Sequence, residues 1–274
     1  MTVQPGCQSG PEKIHSFGAS YLVGRNYLLS PINRINVYNN IQICYLLCMN
    51  FDSLLKLTGS MPTFDLPLLV QAFDDPREII RVQLSRWMKQ GKVVGLRRGL
   101  YTLADVYRRG SSPQSLASPA PLPPLTPAAL ANALYRPSYL SGLWALGLYD
   151  LIPERVIRLT SVTPRPPHCF ENPFGVFDYR HIKQEGFFGY RTTSFGGAEI
   201  VVAEPEKALL DHWHFTPGEW TSARLEEMRY QNTSLIGGDR LRAFAQRFHS
   251  PRLDRAAIRW LELAARDTTA TESL

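Results

Sequence analysis

One stretch constrains the architecture of this chain more than any other. Residues 108–124 read Arg-Arg-Gly-Ser-Ser-Pro-Gln-Ser-Leu-Ala-Ser-Pro-Ala-Pro-Leu-Pro-Pro, with five prolines and four serines in seventeen positions. Proline has a fixed φ and no amide donor, so such a run can neither continue a helix nor sit inside a sheet. With only a few small apolar side chains, it reads as a semi-extended linker. A chain of 274 residues interrupted in this way must build its cores on either side. The expected organisation is therefore an extension over 1–48, one unit over 49–107, the linker over 108–124 and a second unit over 125–274.

Residues 1–48 carry neither a helical nor a strand period, and Glu12, Lys13, Arg25 and Arg34 are their only charged residues. Met49 opens a segment with clear periodicity. We read 1–48 either as upstream sequence translated ahead of a start at Met49 or as an extension of little order. The chain is 44% hydrophobic and 20% charged, which is globular composition. Its net charge of +6 favours an anionic partner. Cys7, Cys44, Cys48 and Cys169 form no framework, as expected of a reducing cytosol. Cys44 and Cys48 have no second ligand pair, so no metal is expected there. No apolar run reaches the roughly 20 residues of a bilayer span, and the N-terminus has no signal-peptide pattern. The expectation is a cytoplasmic protein without a membrane partner.

The segment from 51 to 107 reads as three short helices and a hairpin. Phe51–Leu57 and Leu66–Phe73 carry apolar residues at helical spacing. The third helix is punctuated by Asp75-Pro76-Arg77-Glu78, with Asp75 expected at the N-cap and Pro76 in the first turn, and Gly91 closes it. Stepping 100° per residue, Ile80, Leu84, Trp87 and Met88 are expected to face the core. Arg81, Ser85 and Lys89 line another face, with Val82 and Arg86 beside them. Lys92–Leu96 and Leu100–Leu103 are β-prone runs joined by Arg97-Arg98-Gly99, where Gly99 supplies the positive φ of a tight turn. Between Phe51 and Gly110 there are ten basic and six acidic residues. A basic-faced helix followed by a basic-tipped hairpin is the layout of a winged helix-turn-helix. Its expected DNA-binding residues are Arg77, Arg81, Ser85, Arg86, Lys89, Arg97 and Arg98. Used only for protein contacts, the same module would show no salt-sensitive DNA binding.

Residues 125–274 mix helix and strand, so the whole chain is expected to be α+β. Helices are expected at Thr126–Tyr135, Pro137–Leu148, Pro205–His212, Arg240–Phe248 and Pro251–Arg266. Strands are expected at Val156–Thr163, Gly175–Ile182, Phe187–Tyr190 and Ala198–Val202. Several ordered blocks in this half carry a resemblance: Arg136-Pro-Ser-Tyr-Leu-Ser, Leu151-Ile-Pro153, Thr160-Ser-Val-Thr163, Phe174-Gly-Val-Phe-Asp-Tyr-Arg-His181, Phe188-Gly-Tyr190 and Ala203-Glu-Pro-Glu-Lys-Ala-Leu-Leu-Asp211. Together with the Arg-Arg-Gly-Leu-Tyr run at 97–101, they resemble AbiEi-type antitoxins over about residues 51–265. The long N-terminal extension and the Pro/Ser-rich linker depart from that pattern. The resemblance implies a C-terminal mixed α/β antitoxin domain and a component of a type IV toxin–antitoxin system. It implies a protein that binds inverted repeats in operator DNA upstream of its own operon and represses it. The implied genetic partner is a nucleotidyltransferase-like toxin, counteracted without a stable complex. No cofactor and no enzymatic activity are implied.

An enzymatic alternative is a metal-dependent nuclease in the second unit, built on Glu204, Glu206 and Lys207 with Asp211 nearby. Against it, Glu204 and Glu206 are expected as helix N-terminal acids, and Lys207 and Asp211 as an i, i+4 pair on a helix surface. His168, His181, His212, His214 and His249 are read as ordinary polar or half-buried side chains. Tyr139 and Tyr179 are the aromatics with scope to face a ligand. The C-terminal arginines at 240, 242, 247, 252, 255 and 259 would form either solvated helix faces or a second basic surface.

Overall fold

The computed structural model describes residues 49–59, 61–105 and 125–272, with side chains described as far as residue 266. The expected extension over 1–48 and linker over 108–124 lie outside the described residues. The fold is α+β, as the sequence leads one to expect, and its buried apolar residues form two clusters.

The smaller cluster belongs to three helices and a three-stranded sheet. They run α1 (Phe51–Thr58), β1 (Phe64–Asp65), α2 (Leu66–Ala72), α3 (Arg77–Lys89), β2 (Val93–Arg97) and β3 (Leu100–Leu103). The sheet order is β1-β3-β2, all antiparallel. Asn50 caps α1 reciprocally with Ser53: the Ser53 amide donates to Asn50 Oδ1 at 2.8 Å and the Asn50 amide to Ser53 Oγ at 3.0 Å. Asp65 caps α2 by accepting from the Leu68 amide at 2.9 Å. Leu54, Leu69, Ile80 and Leu84 are fully buried where the helices meet.

Two local expectations for α3 are corrected. Pro76, not Asp75, stands at its N-cap, and no side chain caps it. The Asp75 carboxylate accepts instead from the Met49 amide at 2.5 Å, which ties the entry to α1 to the α2–α3 turn. Met88 is 37% exposed. One step past buried Trp87, it turns off the apolar stripe toward β2, where Gly95 leaves room for its sulfur.

The larger cluster surrounds a six-stranded mixed sheet of order β6-β7-β5-β4-β9-β8. Its strands are β4 (Tyr139–Leu140), β5 (Leu159–Thr163), β6 (His168–Asn172), β7 (Gly175–His181), β8 (Tyr190–Phe195) and β9 (Ala198–Ala203). The helices are α4 (Pro127–Leu134), α5 (Gly142–Leu148), α6 (Pro205–Phe215), α7 (Ser222–Glu227), α8 (Gly238–Arg247) and α9 (Pro251–Glu272). The helix expected over Pro137–Leu148 divides into β4 and α5, with Ser141 between them and Gly142, at φ +61, opening α5. The strand expected over Phe187–Tyr190 starts only at Tyr190.

A buried ion pair holds the middle of this sheet. Lys207 and Asp211, one turn apart on α6, are both fully buried and paired with each other. The Lys207 ammonium also donates to the Tyr139 hydroxyl at 2.9 Å. Asp211 Oδ2 accepts from Ser141 Oγ at 2.7 Å and from the Tyr139 hydroxyl at 3.1 Å. The Phe248 and Phe188 rings lie 4.6 and 5.1 Å from the ammonium. Gly189, at φ +67, lets the chain pass against the Lys207 stem; a Cβ there would sit 2.9 Å from the Phe244 ring. Burial lowers the Lys207 pKa, with the Asp211 carboxylate opposing that shift. Removing one partner strands the other in a dry site. Asp211→Ala should therefore destabilise by about 3–5 kcal/mol, whereas Lys207→Met with Asp211→Leu should cost far less. Chemical denaturation midpoints measure both, and an Asp211→Ala protein as stable as the parent would contradict the assignment.

Candidate nucleic-acid interface

The amphipathic pattern of α3 decides which of its side chains meet solvent. Ile80, Leu84 and Trp87 are buried, and Phe51 packs edge-on to Trp87 with ring centroids 5.4 Å apart. Arg77, Arg81, Ser85, Arg86 and Lys89 are all exposed. At 100° per residue, Glu78, Val82, Ser85 and Lys89 point directly away from the core, Arg77 and Arg81 flank them on one side, and Ile79 and Arg86 on the other.

The hairpin brings the remaining two expected residues to the Arg77 and Arg81 flank. Arg97 pairs with Leu100, leaving Arg98 and Gly99 as the turn, with Gly99 at φ +79. The Leu66 amide donates to the Gly99 carbonyl at 3.0 Å, fixing the turn to the start of α2. The result is an open cleft of about 520 Å³ whose walls include Arg77, Arg81, Arg97, Arg98 and Tyr101. Among the described residues, Asp65 is the only acid on its rim, and its carboxylate is engaged by the Leu68 amide. Among the described residues, the side chains of Arg77, Arg81, Arg86, Lys89 and Arg98 make no ion pair. Of the cleft's cations, Arg77, Arg81 and Arg98 therefore have no acidic partner among the described residues and are available to an anion such as phosphate.

Arg97 differs from the others. Its Nε donates to the Leu134 carbonyl at the end of α4, at 2.7 Å, and its Nη1 to the Arg98 carbonyl at 3.2 Å. On the neighbouring strand, Asn172 Nδ2 donates to the Leu96 carbonyl at 3.2 Å. Leu96 and Leu100 are buried within the larger cluster, not the smaller one. The hairpin is thus shared between the two halves of the chain. Sequence inspection missed this seam because nothing local to Arg97, Leu134 or Asn172 signals a contact made across tens of residues.

The other candidates occupy different settings. Lys207 and Asp211, expected as a helix-surface pair, lie in the interior instead. Glu206 Oε1 accepts from the Gly237 amide at 2.8 Å, and its Oε2 is enclosed without a partner. Glu204 pairs with Arg240 at 3.3 Å. Among the described residues, no group of three or more His, Cys, Asp or Glu side chains is placed to hold a metal ion. Tyr139 and Tyr179 are fully buried, the latter donating to the Ala131 carbonyl at 2.5 Å, so neither faces a ligand. Of the six C-terminal arginines, Arg252, Arg255 and Arg259 tie elements together, while Arg240 and Arg242 stay exposed in ion pairs with Glu204 and Asp239. Arg252 donates to the Thr216, Gly218 and His214 carbonyls, Arg259 to the Trp220 carbonyl, and Arg255 pairs with Glu219.

No family model matches the chain, and a search of curated proteins returns no match. Among the described residues no helix is long and apolar enough to cross a membrane.

Two outcomes follow from this geometry. Arg97→Ala combined with Asn172→Ala removes two hydrogen bonds across the seam, each worth about 1 kcal/mol. Amide exchange at Leu96 and Leu100 should accelerate by one to two orders of magnitude relative to the Leu84 amide. Unchanged exchange would mean that the seam does not hold the hairpin. His212 is the second case: its Nε2 is enclosed without a partner, and burial, with a smaller contribution from the Arg224 charge, lowers its pKa to about 4. The unfolded chain therefore binds a proton between pH 6.5 and 4 that the folded one refuses, so stability falls as pH drops through that window. The loss should be no more than about 3 kcal/mol, and His212→Gln should remove it. Denaturant titrations at pH 7, 5.5 and 4.5 measure this difference.

Proposed function

We propose that this protein is a sequence-specific DNA-binding repressor whose first unit, over 49–107, is a winged helix-turn-helix. In this reading α2 and α3 form the helix-turn-helix, α3 enters the major groove, and the β2–β3 hairpin is the wing. One observation carries it: Arg77 and Arg81 on α3 converge with Arg97 and Arg98 on the hairpin around a single open cleft. A backbone phosphate seated there would be gripped from the helix and the wing at once. Ser85, Arg86 and Lys89, exposed farther along α3, are then the side chains placed toward base edges.

The biological role proposed for this repressor is that of a type IV antitoxin. It would silence its own toxin–antitoxin operon from upstream inverted repeats and counteract a nucleotidyltransferase-like toxin without forming a stable complex with it. This part rests on the resemblance to AbiEi-type antitoxins in the 136–211 blocks, with the unit over 125–274 as the antitoxin domain.

Binding assays over a range of salt concentrations test the DNA reading. Arg81→Ala and Arg98→Ala should weaken binding to specific and random duplex alike, and each should flatten the log K against log salt slope by about 0.9. Lys89→Ala should lower affinity for an enriched site by about 1–3 kcal/mol if it reads a base. The reading fails if the full chain shows no salt-sensitive DNA binding. For the antitoxin role, the neighbouring gene should encode a nucleotidyltransferase-like toxin, and co-expression should restore growth to cells carrying it without co-purification of the two proteins; a neighbourhood with no such gene contradicts this role.

A further inference from the structure

The outward ridge of α3 is not uniformly polar. Val82 stands at its centre, 48% exposed, with Ile79 beside it and equally exposed. These two β-branched side chains form an apolar spot on a helix whose other outward positions are Glu78, Ser85 and Lys89, with Arg81 and Arg86 on opposite sides. Burial elsewhere in α3 needs neither residue, since Ile80, Leu84 and Trp87 already fill the core. Both side chains are short, so the helix backbone can approach a surface closely at this point.

A surface that meets this ridge must satisfy two demands together. It must present anions beside the spot, to meet Arg81 and the arginine cleft, and hydrogen-bond acceptors within reach of Arg86 and Lys89. It must also present something apolar at the centre. The major groove of DNA does both where a thymine lies under the helix: the C5-methyl group projects into the groove between two phosphate backbones. Building on the DNA-binding reading above, we propose that Val82 and Ile79 read thymine through its C5-methyl group, making them specificity-determining residues of α3. An operator bound by this protein then carries a thymine under the middle of α3.

The test uses a duplex enriched by the full-length wild-type protein from a random-sequence pool. That duplex is prepared once with thymidine and once with deoxyuridine, which pairs identically and lacks only the C5-methyl group. Wild type should bind the thymidine duplex roughly four-fold more tightly for each methyl buried. The Ile79→Ser, Val82→Ser double variant, which replaces the apolar branches with a hydroxyl, should bind both duplexes equally while keeping the wild-type salt slope. Both positions are exposed, and circular dichroism with thermal melting checks that the variant is folded as wild type. Equal wild-type affinity for the two duplexes overturns the inference, as does a methyl preference that survives in the double variant. Those results leave DNA binding itself standing; the absence of salt-sensitive binding to either duplex removes the reading beneath it as well.

Discussion

The two halves of the large sheet are joined through β4, a strand of only two residues. It pairs with β5 at Tyr139 and Leu140 and with β9 at Leu140 alone. Backbone pairing that short cannot by itself fix the join, so side chains do so. The Lys207–Asp211 pair grips β4 and the residue after it through Tyr139 and Ser141, and α6 is thereby fastened to the centre of the sheet. Asn132 adds a second clasp: its side-chain amide exchanges two hydrogen bonds with the Val201 backbone, completing β9 where β4 ends. A dry ionic cluster is an expensive device, and its hydrogen bonds are directional. What it does here is tie Tyr139 and Ser141 to α6 through directional hydrogen bonds.

From that fixed sheet the constraint passes to the hairpin. The end of α4 presents the Leu134 carbonyl to Arg97, and β6 presents Asn172 to Leu96. The β2–β3 hairpin therefore packs against α3 on one side and the large sheet on the other. Held by contacts on both sides, the hairpin brings Arg98 to the same cleft as Arg81. The proposed wing and recognition helix would meet DNA as one surface whose geometry the second half of the chain helps to set. Arg97 has a dual part in this arrangement, since one edge of its guanidinium ties the seam while the residue also lines the arginine cleft.

Much of this was legible from the residues. The helical stripes at 51–57 and 66–73, the Gly91 stop and the Gly99 turn are local signals, and local physics realises them. The errors came where a side chain had a better partner than its neighbours offered. Asp75 gave up capping because the Met49 amide was within reach. The helix expected from Pro137 yielded to β4 because Tyr139 and Ser141 serve Asp211, seventy residues on. Strand β6 was missed because a run of His, Cys, Phe, Glu and Asn has weak strand character, and its pairing with β7 creates it. The proposed site divides in the same way: the exposed face of α3 follows from period, but its convergence with the hairpin tip does not.

The sequence by itself determined the α+β character and the polar face of α3 with its arginines, serine and lysine. These follow from side-chain period, proline stereochemistry and turn glycines, which act over a few residues. Only the tertiary structure decided that Lys207 and Asp211 lie in the interior and that Arg97 is tied to the Leu134 carbonyl. It alone brought four arginines from two elements around one cleft. Such outcomes depend on which distant groups compete for the same hydrogen bond or the same dry volume. That competition is settled only when the whole chain is packed.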